Sequence, residues 1–177
     1  MDKKFYKNCI QHEVYRNKNL NIVSKLLYKY FAAATNCVYM IRKMIYLYDK
    51  GRINKFRAFI IRKRLITKYG VHVYPTIKIG LGLYIPHPSS IIITGHCAIG
   101  DNFTILQNCT VGIKHIENEE GPAPNIGNNV KMCASSMIIG GIVVADNVTI
   151  GANSMLLNDA VAPGMYLGSP AKLHQVK

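Results

Sequence analysis

The histidines are the side chains of this sequence best suited to moving protons near neutral pH. The chain has six, and one of them, His87, lies between two prolines in the segment LGLYIPHPSS. Another, His115, lies in the acidic segment KHIENEEG. Removing the proton of a hydroxyl group while its oxygen attacks a carbonyl requires a base whose pKa is close to the working pH, as that of imidazole is. We therefore take His87 and His115 as candidate general bases.

The five cysteines form no recognisable chemical motif. Their number is odd and they include no C-x-x-C pair, which argues against a disulfide framework and against a structural zinc site. We expect them to be packing residues of a reduced, cytoplasmic protein, and we expect no bound metal. None of them is a candidate nucleophile.

His87 lies within a six-residue repeat that runs from Val71 to the C-terminal end of the sequence. Aliphatic or small residues recur at every sixth position, with a slip of two residues just after His87 and one interruption between Gly112 and Asn125. A period of six is what a parallel β-helix needs when each short strand and its corner occupy six residues. An ordinary β-sandwich would instead show turn signals every 8 to 12 residues or so. The predicted inward positions are Val73, Ile79, Ile85, Ile91, Ile93, Ile99, Ile105, Val111, Ile126, Met132, Ile138, Val144, Ile150, Leu156 and Ala162.

Residues that favour tight turns follow many of these inward positions. Residues 99–102 read IGDN, residues 126–129 read IGNN and residues 150–153 read IGAN. Glycine and asparagine accept left-handed backbone angles at low cost. The sequence therefore predicts a corner after each of these strands.

The first 70 residues differ from the repeats in charge and in composition. They hold 17 of the 22 Lys and Arg against three acidic residues, a net charge of +14, and 12 of the 16 Phe and Tyr, whereas residues 71–177 carry a net −1. Their apolar residues recur at helical spacing, and DKG at 49–51 and YG at 69–70 are helix stop signals. We predict a mainly β protein: an α-helical segment, 1–70, followed by a β-helical domain, 71–177, with an extruded loop at 112–125.

The basic helices have two main interpretations. They could form a cap that covers the open end of the β-helix and joins subunits, or an element that binds an anionic membrane surface through basic and aromatic residues. No nucleic-acid motif accompanies the charge, so we expect no nucleic-acid partner. No uncharged run is long enough to span a bilayer and no signal peptide is visible. A cytoplasmic protein, peripheral at most to the inner face of a membrane, is therefore expected.

Two segments of the repeats resemble a known family. They are VHVYPTIKIGLGLYIPHPSSIIITGHCAIGDNFTILQNCTVG and PNIGNNVKMCASSMIIGGIVVADNVTIGANSMLLNDAVAPGMYLGSPAKL. Both resemble the left-handed β-helix, or hexapeptide-repeat, acyltransferases, in particular the serine acetyltransferase group and its polysaccharide O-acetyltransferase relatives. The resemblance implies acetyl-CoA as acetyl donor, no metal, and a homotrimer, because in this family the cofactor lies in a groove between subunits.

The resemblance also implies roles for individual residues. His87 matches the histidine of the family's L-D-H-A-T-G segment, and a backbone amide near Gly112 would stabilise the oxyanion. His72 stands where the family has the aspartate that orients that histidine, so the partner of His87 is His72, a backbone carbonyl, or a carboxylate of the loop. The loop carboxylates are Glu117, Glu119 and Glu120, and the implied cofactor contacts are Ala134, Ser135, Ala152, Asn153 and Lys172.

The acceptor is the least determined part of this prediction. In the serine enzymes the loop carries G-D-R-H-P-K-I, whose Arg and His meet the amino acid, whereas this chain has GPAPNI with Ala123 in place of that His. No Arg or Lys stands there to bind a carboxylate. We therefore expect a sugar hydroxyl, in a surface polysaccharide or a lipid-linked glycan, with free serine as the alternative. A non-catalytic β-helical scaffold protein is the alternative from another class.

Overall fold

The chain forms four helices followed by a three-faced coil of short parallel strands. The computed structural model describes residues 1–116 and 119–174, without the side chains of residues 115, 116, 119 and 120. The helices are α1 (Lys3–Cys9), continued by a π-helical turn (Ile10–Val14), then α2 (Ile22–Tyr30), α3 (Ala33–Tyr48) and α4 (Arg52–Tyr69).

The helices begin and end where local side-chain and backbone chemistry allows. The side chain of Asp2 accepts a hydrogen bond from the Phe5 amide at the start of α1, and Asn21 caps α2 in the same way at 2.8 Å. α3 ends at Tyr48, directly before the DKG signal, and α4 ends at Gly70, whose φ of 62° is left-handed. The predicted α-helical N-terminal segment is confirmed.

The parallel strands of the coil stack into three faces. The first face contains β1 (His72–Val73), β3 (Ile92–Ile93), β6 (Thr110–Gly112), β11 (Met137–Ile139) and β14 (Met155–Leu156). The second contains β2 (Lys78–Ile79), β4 (Ala98–Ile99), β9 (Asn125–Ile126) and β12 (Val143–Val144). The third contains β5 (Thr104–Ile105), β10 (Lys131–Met132), β13 (Val148–Ile150) and β15 (Gly164–Leu167).

Two further pairings lie outside this parallel coil. β16 (Lys172–His174) returns antiparallel along β15, and β7 (His115–Ile116) pairs antiparallel with β8 (Glu119–Glu120) inside the extruded loop.

Three edges join the faces, and we name them by what they carry. The His87 edge joins the third face to the first and contains corner 86–90. The cleft edge joins the first face to the second and carries the loop at 112–125. The asparagine edge joins the second face to the third, where the side chain of Asn129 bonds Asn102 at 2.9 Å and Asn147 at 3.0 Å. All three asparagines have left-handed φ angles of 56° to 60°, as the turn signals predict.

The six-residue register holds along most of the coil. The predicted inward residues from Val73 to Leu156 are buried, all at 7% exposure or less. The last predicted position, Ala162, is wrong: it is half-buried, and Ala160 takes the inward place by pairing with Val144. Only three residues separate Leu156 from Ala160, so the final corner is shorter than six-residue spacing requires.

The helices and the coil share one hydrophobic core. Ile41 and Met44 of α3 and Leu65 of α4 are fully buried in the same cluster as Val71 and Val73 of the first coil. The helical segment therefore closes one end of the coil instead of standing apart from it.

Candidate active site

His87 lies on an outward-pointing corner, at the position of the two-residue slip. The inward Ile93 follows the inward Ile85 by eight positions instead of six, and the two extra residues lengthen corner 86–90. The His87 side chain is exposed, while Ile85 and Ile91 on either side of the corner are buried. The core thus anchors both ends of a corner whose tip presents imidazole to solvent.

The predicted cofactor contacts lie on this same edge. Successive corners are joined by backbone bonds: Asn108 donates to Ser89 at 3.0 Å, Ser135 to Gln107 at 3.0 Å, and Asn153 to Ala134 at 3.1 Å. Each step along the coil rises by about 4.8 Å, so corner 152–153 lies about 14 Å from the His87 corner. An extended ligand lying along this edge would reach from the imidazole past Ala134 and Asn153.

The corners on this edge are open to a ligand. Ala152 and Asn153 are exposed, and Ala134 and Ser135 are half-buried. Ser135 and Asn153 have left-handed φ angles of 60° and 56°. Lys172, in β16, is exposed at the end of the coil, where it is paired with Leu167. Small side chains and one cation suit the phosphate-bearing end of a nucleotide-like ligand.

A second part of the candidate active site is a cleft beneath the extruded loop, on the edge that joins the first face to the second. It has a volume of about 680 Å³, and Gly112 contributes to its wall. Its other lining residues include Tyr74, Thr94, His96, Pro122 and Ala123. His72 is half-buried on the first face beside Ile92, which also lines the cleft. The structure therefore places Gly112 in the wall of the cleft and His72 next to one of its lining residues, while His87 and the predicted cofactor contacts lie on the neighbouring edge.

The partner that orients His87 is not identified by these contacts. Among the side chains that the structure describes, which exclude those of residues 115–120, no ion pair joins His87 or His72 to a carboxylate. Glu117 lies outside the described residues, as do the side chains of Glu119, Glu120 and the rival base His115. The orienting role of His72 or of a loop carboxylate therefore stays a prediction.

Sequence reasoning missed three side chains at the cleft. His96 lines the cleft from a corner, where its φ of 61° is left-handed. Apart from glycines, the left-handed positions of the other corners are occupied by Ser or Asn. A histidine at such a position was the one sequence feature that could have indicated a role for it. Tyr74 is 46% exposed inside the cleft. The guanidinium of Arg62, from α4, lies 4.2 Å from the centre of the Tyr74 ring, and nothing in the repeat pattern predicts this contact.

The cysteines and the metal-ligating side chains add no further chemistry. All five cysteines are free. Burial raises the pKa of the Cys97 and Cys37 thiols to about 12, so both stay protonated at neutral pH. In the part of the chain that the structure describes, no three His, Cys, Asp or Glu side chains cluster as metal ligands would.

Comparisons with known proteins agree on one group. No family model matches the sequence. Serine acetyltransferases of Staphylococcus aureus and Staphylococcus epidermidis are 35% and 39% identical to the chain over 128 residues, which is 72% of this chain. The chain spans 58% of the length of these curated relatives.

Solved structures give the same result for the fold. A serine acetyltransferase of Neisseria gonorrhoeae superposes with a TM-score of 0.81 at 24% identity, over 96% of this chain and 66% of that one. A serine acetyltransferase in complex with CoA superposes with a TM-score of 0.72 at 24% identity, over 94% of this chain and 67% of the other. These structures are left-handed β-helices, and the predicted fold class is confirmed.

Proposed function

This chain is a homologue of serine acetyltransferases and shares their left-handed β-helix, and from that premise we propose that it is an acetyl-CoA-dependent O-acetyltransferase. The observation that best supports the proposal is the His87 edge. There a solvent-exposed imidazole stands in line with open, small-residue corners that a CoA-like ligand could follow.

The proposed reaction needs one base and one oxyanion donor. His87 removes the proton from the acceptor hydroxyl while that oxygen attacks the thioester carbonyl. The backbone amide near Gly112 donates to the carbonyl oxygen as negative charge develops on it. When the carbon–sulfur bond breaks, the imidazolium returns the proton to the departing CoA thiolate. The products are the acetyl ester and CoA, and no metal or acetylated side chain takes part.

His87 does not line the cleft in a single copy, although the cleft begins at Ile92, two residues past corner 86–90. About four residues of the first face, or about 13 Å of strand, separate that corner from Thr94, which is level with Gly112 on the neighbouring strand. A general base must come within about 3 Å of the group whose proton it takes. We therefore propose a homotrimer in which the His87 edge of one copy lies against the cleft edge of the next.

The acceptor has two candidates. The curated relatives are serine acetyltransferases, so L-serine is the first candidate, ahead of the sugar hydroxyl that the loop sequence predicted. The sugar remains the second candidate because Ala123, which replaces the His of the serine-binding loop, lines the cleft, and no Arg or Lys does.

Direct competition between acceptors tests this assignment. With acetyl-CoA fixed, we expect acetylation of L-serine with a kcat/KM of about 10⁴ M⁻¹s⁻¹ or more, and no transfer to nucleotide sugars or lipid-linked glycans. CoA release without any acceptor is the control. Transfer to a glycan alone would make the second candidate correct. If no acceptor in a mixed panel stimulates CoA release, the chain is a scaffold protein.

The helical segment carries apolar surface that no described part of the chain covers. α2 has no buried residue. Ile22, Val23, Leu26, Leu27, Tyr30 and Phe31 are between 47% and 79% exposed. No described helix is long and apolar enough to cross a membrane. Residues 14–48 contain no Asp or Glu, so pairing this surface with a second copy would bring like charges together. We therefore propose that α2 binds an anionic lipid surface.

Vesicle binding tests the lipid proposal. We expect the protein to cosediment with phosphatidylglycerol vesicles and to detach as salt screens the contact. The double variant Leu26→Ser/Leu27→Ser should lose this binding, because it removes apolar area from α2. Val161→Ser, at a residue of the coil that is 76% exposed, is the matched control and should bind normally. Salt-independent self-association without vesicles that Leu26→Ser/Leu27→Ser abolishes would show instead that the helices form an oligomerisation cap.

A further inference from the structure

Arg62 is the described cation best placed to meet an anionic group in the cleft. None of the residues that line the cleft is Lys or Arg. Arg62 lies at its rim, because its guanidinium stacks on the exposed ring of Tyr74, which does line the cleft. The side chain belongs to α4 and contacts the carbonyl of Val73, eleven positions later in the chain. Because α4 lies far from the loop at 112–125 in the sequence, the loop sequence gives no indication of this cation.

The guanidinium is held in place while most of its donors remain available. Its Nε donates to the Val73 carbonyl at 3.3 Å, and the Tyr74 ring packs against its plane. Among the side chains that the structure describes, which do not include those of Glu117, Glu119 and Glu120, no carboxylate lies within ion-pairing distance of Arg62. The terminal nitrogens, which bind carboxylates in a bidentate manner, have no described protein partner. A half-buried, immobilised guanidinium of this kind is preorganised for an anion.

We propose that Arg62 is a specificity-determining residue that binds the carboxylate of the acceptor amino acid. This inference rests on the proposed function, with L-serine as acceptor. The hydroxyl of the acceptor would face the acetyl donor, and its carboxylate would face the Tyr74 side of the cleft. The chain would then bind a carboxylate without the Arg and His that the loop of the serine enzymes supplies.

Lys114, a cation of the extruded loop, supplies a matched control. It is exposed, its Cβ lies towards Gly140, and it does not line the cleft. Replacing either cation by glutamine removes one positive charge. Only Arg62 is expected to affect the affinity for a carboxylate.

The experiment compares L-serine with L-serinamide, which keeps the hydroxyl and the amine but has no carboxylate. We expect Arg62→Gln to lower kcat/KM for L-serine by about 10- to 100-fold, the usual effect of losing a hydrogen bond between charged groups. The kcat/KM for L-serinamide and the KM for acetyl-CoA should stay unchanged. Arg62→Lys should give an intermediate loss, because it keeps the charge but not the bidentate geometry.

The outcomes distinguish a failure of the role proposed for Arg62 from a failure of the proposed O-acetyltransferase activity. If wild type acetylates L-serine and Arg62→Gln keeps the wild-type preference over L-serinamide, the inference is wrong and the function stands. If Lys114→Gln abolishes the preference for L-serine over L-serinamide, Lys114 of the loop binds the carboxylate and the role proposed for Arg62 is wrong. If wild type acetylates neither compound, the proposed function fails and this inference fails with it. Thermal unfolding of both variants checks that the fold is intact.

Discussion

Replacing His87 with alanine is expected to lower the rate of acetyl transfer by about 10²- to 10⁴-fold, the usual contribution of a general base. The side chain is exposed and lies on a corner whose ends are fixed by the buried Ile85 and Ile91. Its removal should therefore leave the fold, the oligomeric state and acetyl-CoA binding unchanged. The measurement is kcat at saturating acetyl-CoA, with CoA affinity measured separately by calorimetry.

Two other histidines serve as controls for this prediction. His96 is also exposed on a corner, but on the cleft edge, so His96→Ala should affect the acceptor KM more than kcat. His115→Ala removes the rival base of the loop. If His115→Ala loses turnover while His87→Ala keeps it, the general base lies in the loop and the assignment of His87 is wrong.

Breaking the buried ion pair between Glu13 and Arg42 should lower the free energy of unfolding more than any other substitution proposed for this protein. The side chains are 0% and 1% exposed, and Arg42 contacts both carboxylate oxygens of Glu13, with Nε at 2.8 Å and Nη2 at 2.5 Å. Arg42 also donates to the Ile79 carbonyl at 2.8 Å, and Glu13 accepts from the Gly82 and Leu83 amides at 2.8 and 3.0 Å. Removing one partner leaves the other charge buried and unpaired, which typically costs about 3–5 kcal/mol.

Urea unfolding of Glu13→Ala and Arg42→Met measures that cost. The control is Asp49→Ala, which removes a contact of 3.6 Å to the N-terminal amine from a side chain that is 64% exposed. Such a surface pair is worth about 0–1 kcal/mol. The double variant Glu13→Leu/Arg42→Met should be more stable than either single variant, because it leaves no unpaired charge. Single-variant losses as small as that of Asp49→Ala would show that water reaches the pair.

This ion pair also joins the helices to the segment that carries His87. Glu13, in the π-helical turn, accepts hydrogen bonds from the amides of Gly82 and Leu83, and only two residues lie between Leu83 and corner 86–90. The position of that corner therefore depends on the helical segment as well as on the coil.

The sequence by itself determined the repeating part of the structure. A six-residue period decides which side chains point inward, because each inward residue stacks on its equivalents in the coils above and below. The glycines and asparagines of the corners supply the left-handed angles and the close approach that stacking needs: a Cβ on Gly100 would lie 2.8 Å from the backbone of Gly127. The helix stops at 49–51 and 69–70 are equally local, since capping involves only a few neighbouring residues. Ala162 was mispredicted because a shortened corner changes the register without changing the composition.

Only the tertiary structure decided which distant residues meet. A period tells which residues face outward, but not which edge they share, because one long corner or one loop changes the count between coils. His87 shares an edge with Ala134 and Asn153 through four stacked corners joined by three backbone hydrogen bonds, while Gly112 lies across the first face from it. Arg62 reaches the rim of the cleft from a helix that lies outside the repeat. Neither the helical spacing of the first 70 residues nor the six-residue period predicts its contact with Tyr74. The strands and corners follow from short-range conformational preference, whereas these contacts depend on how the helical segment packs on the coil.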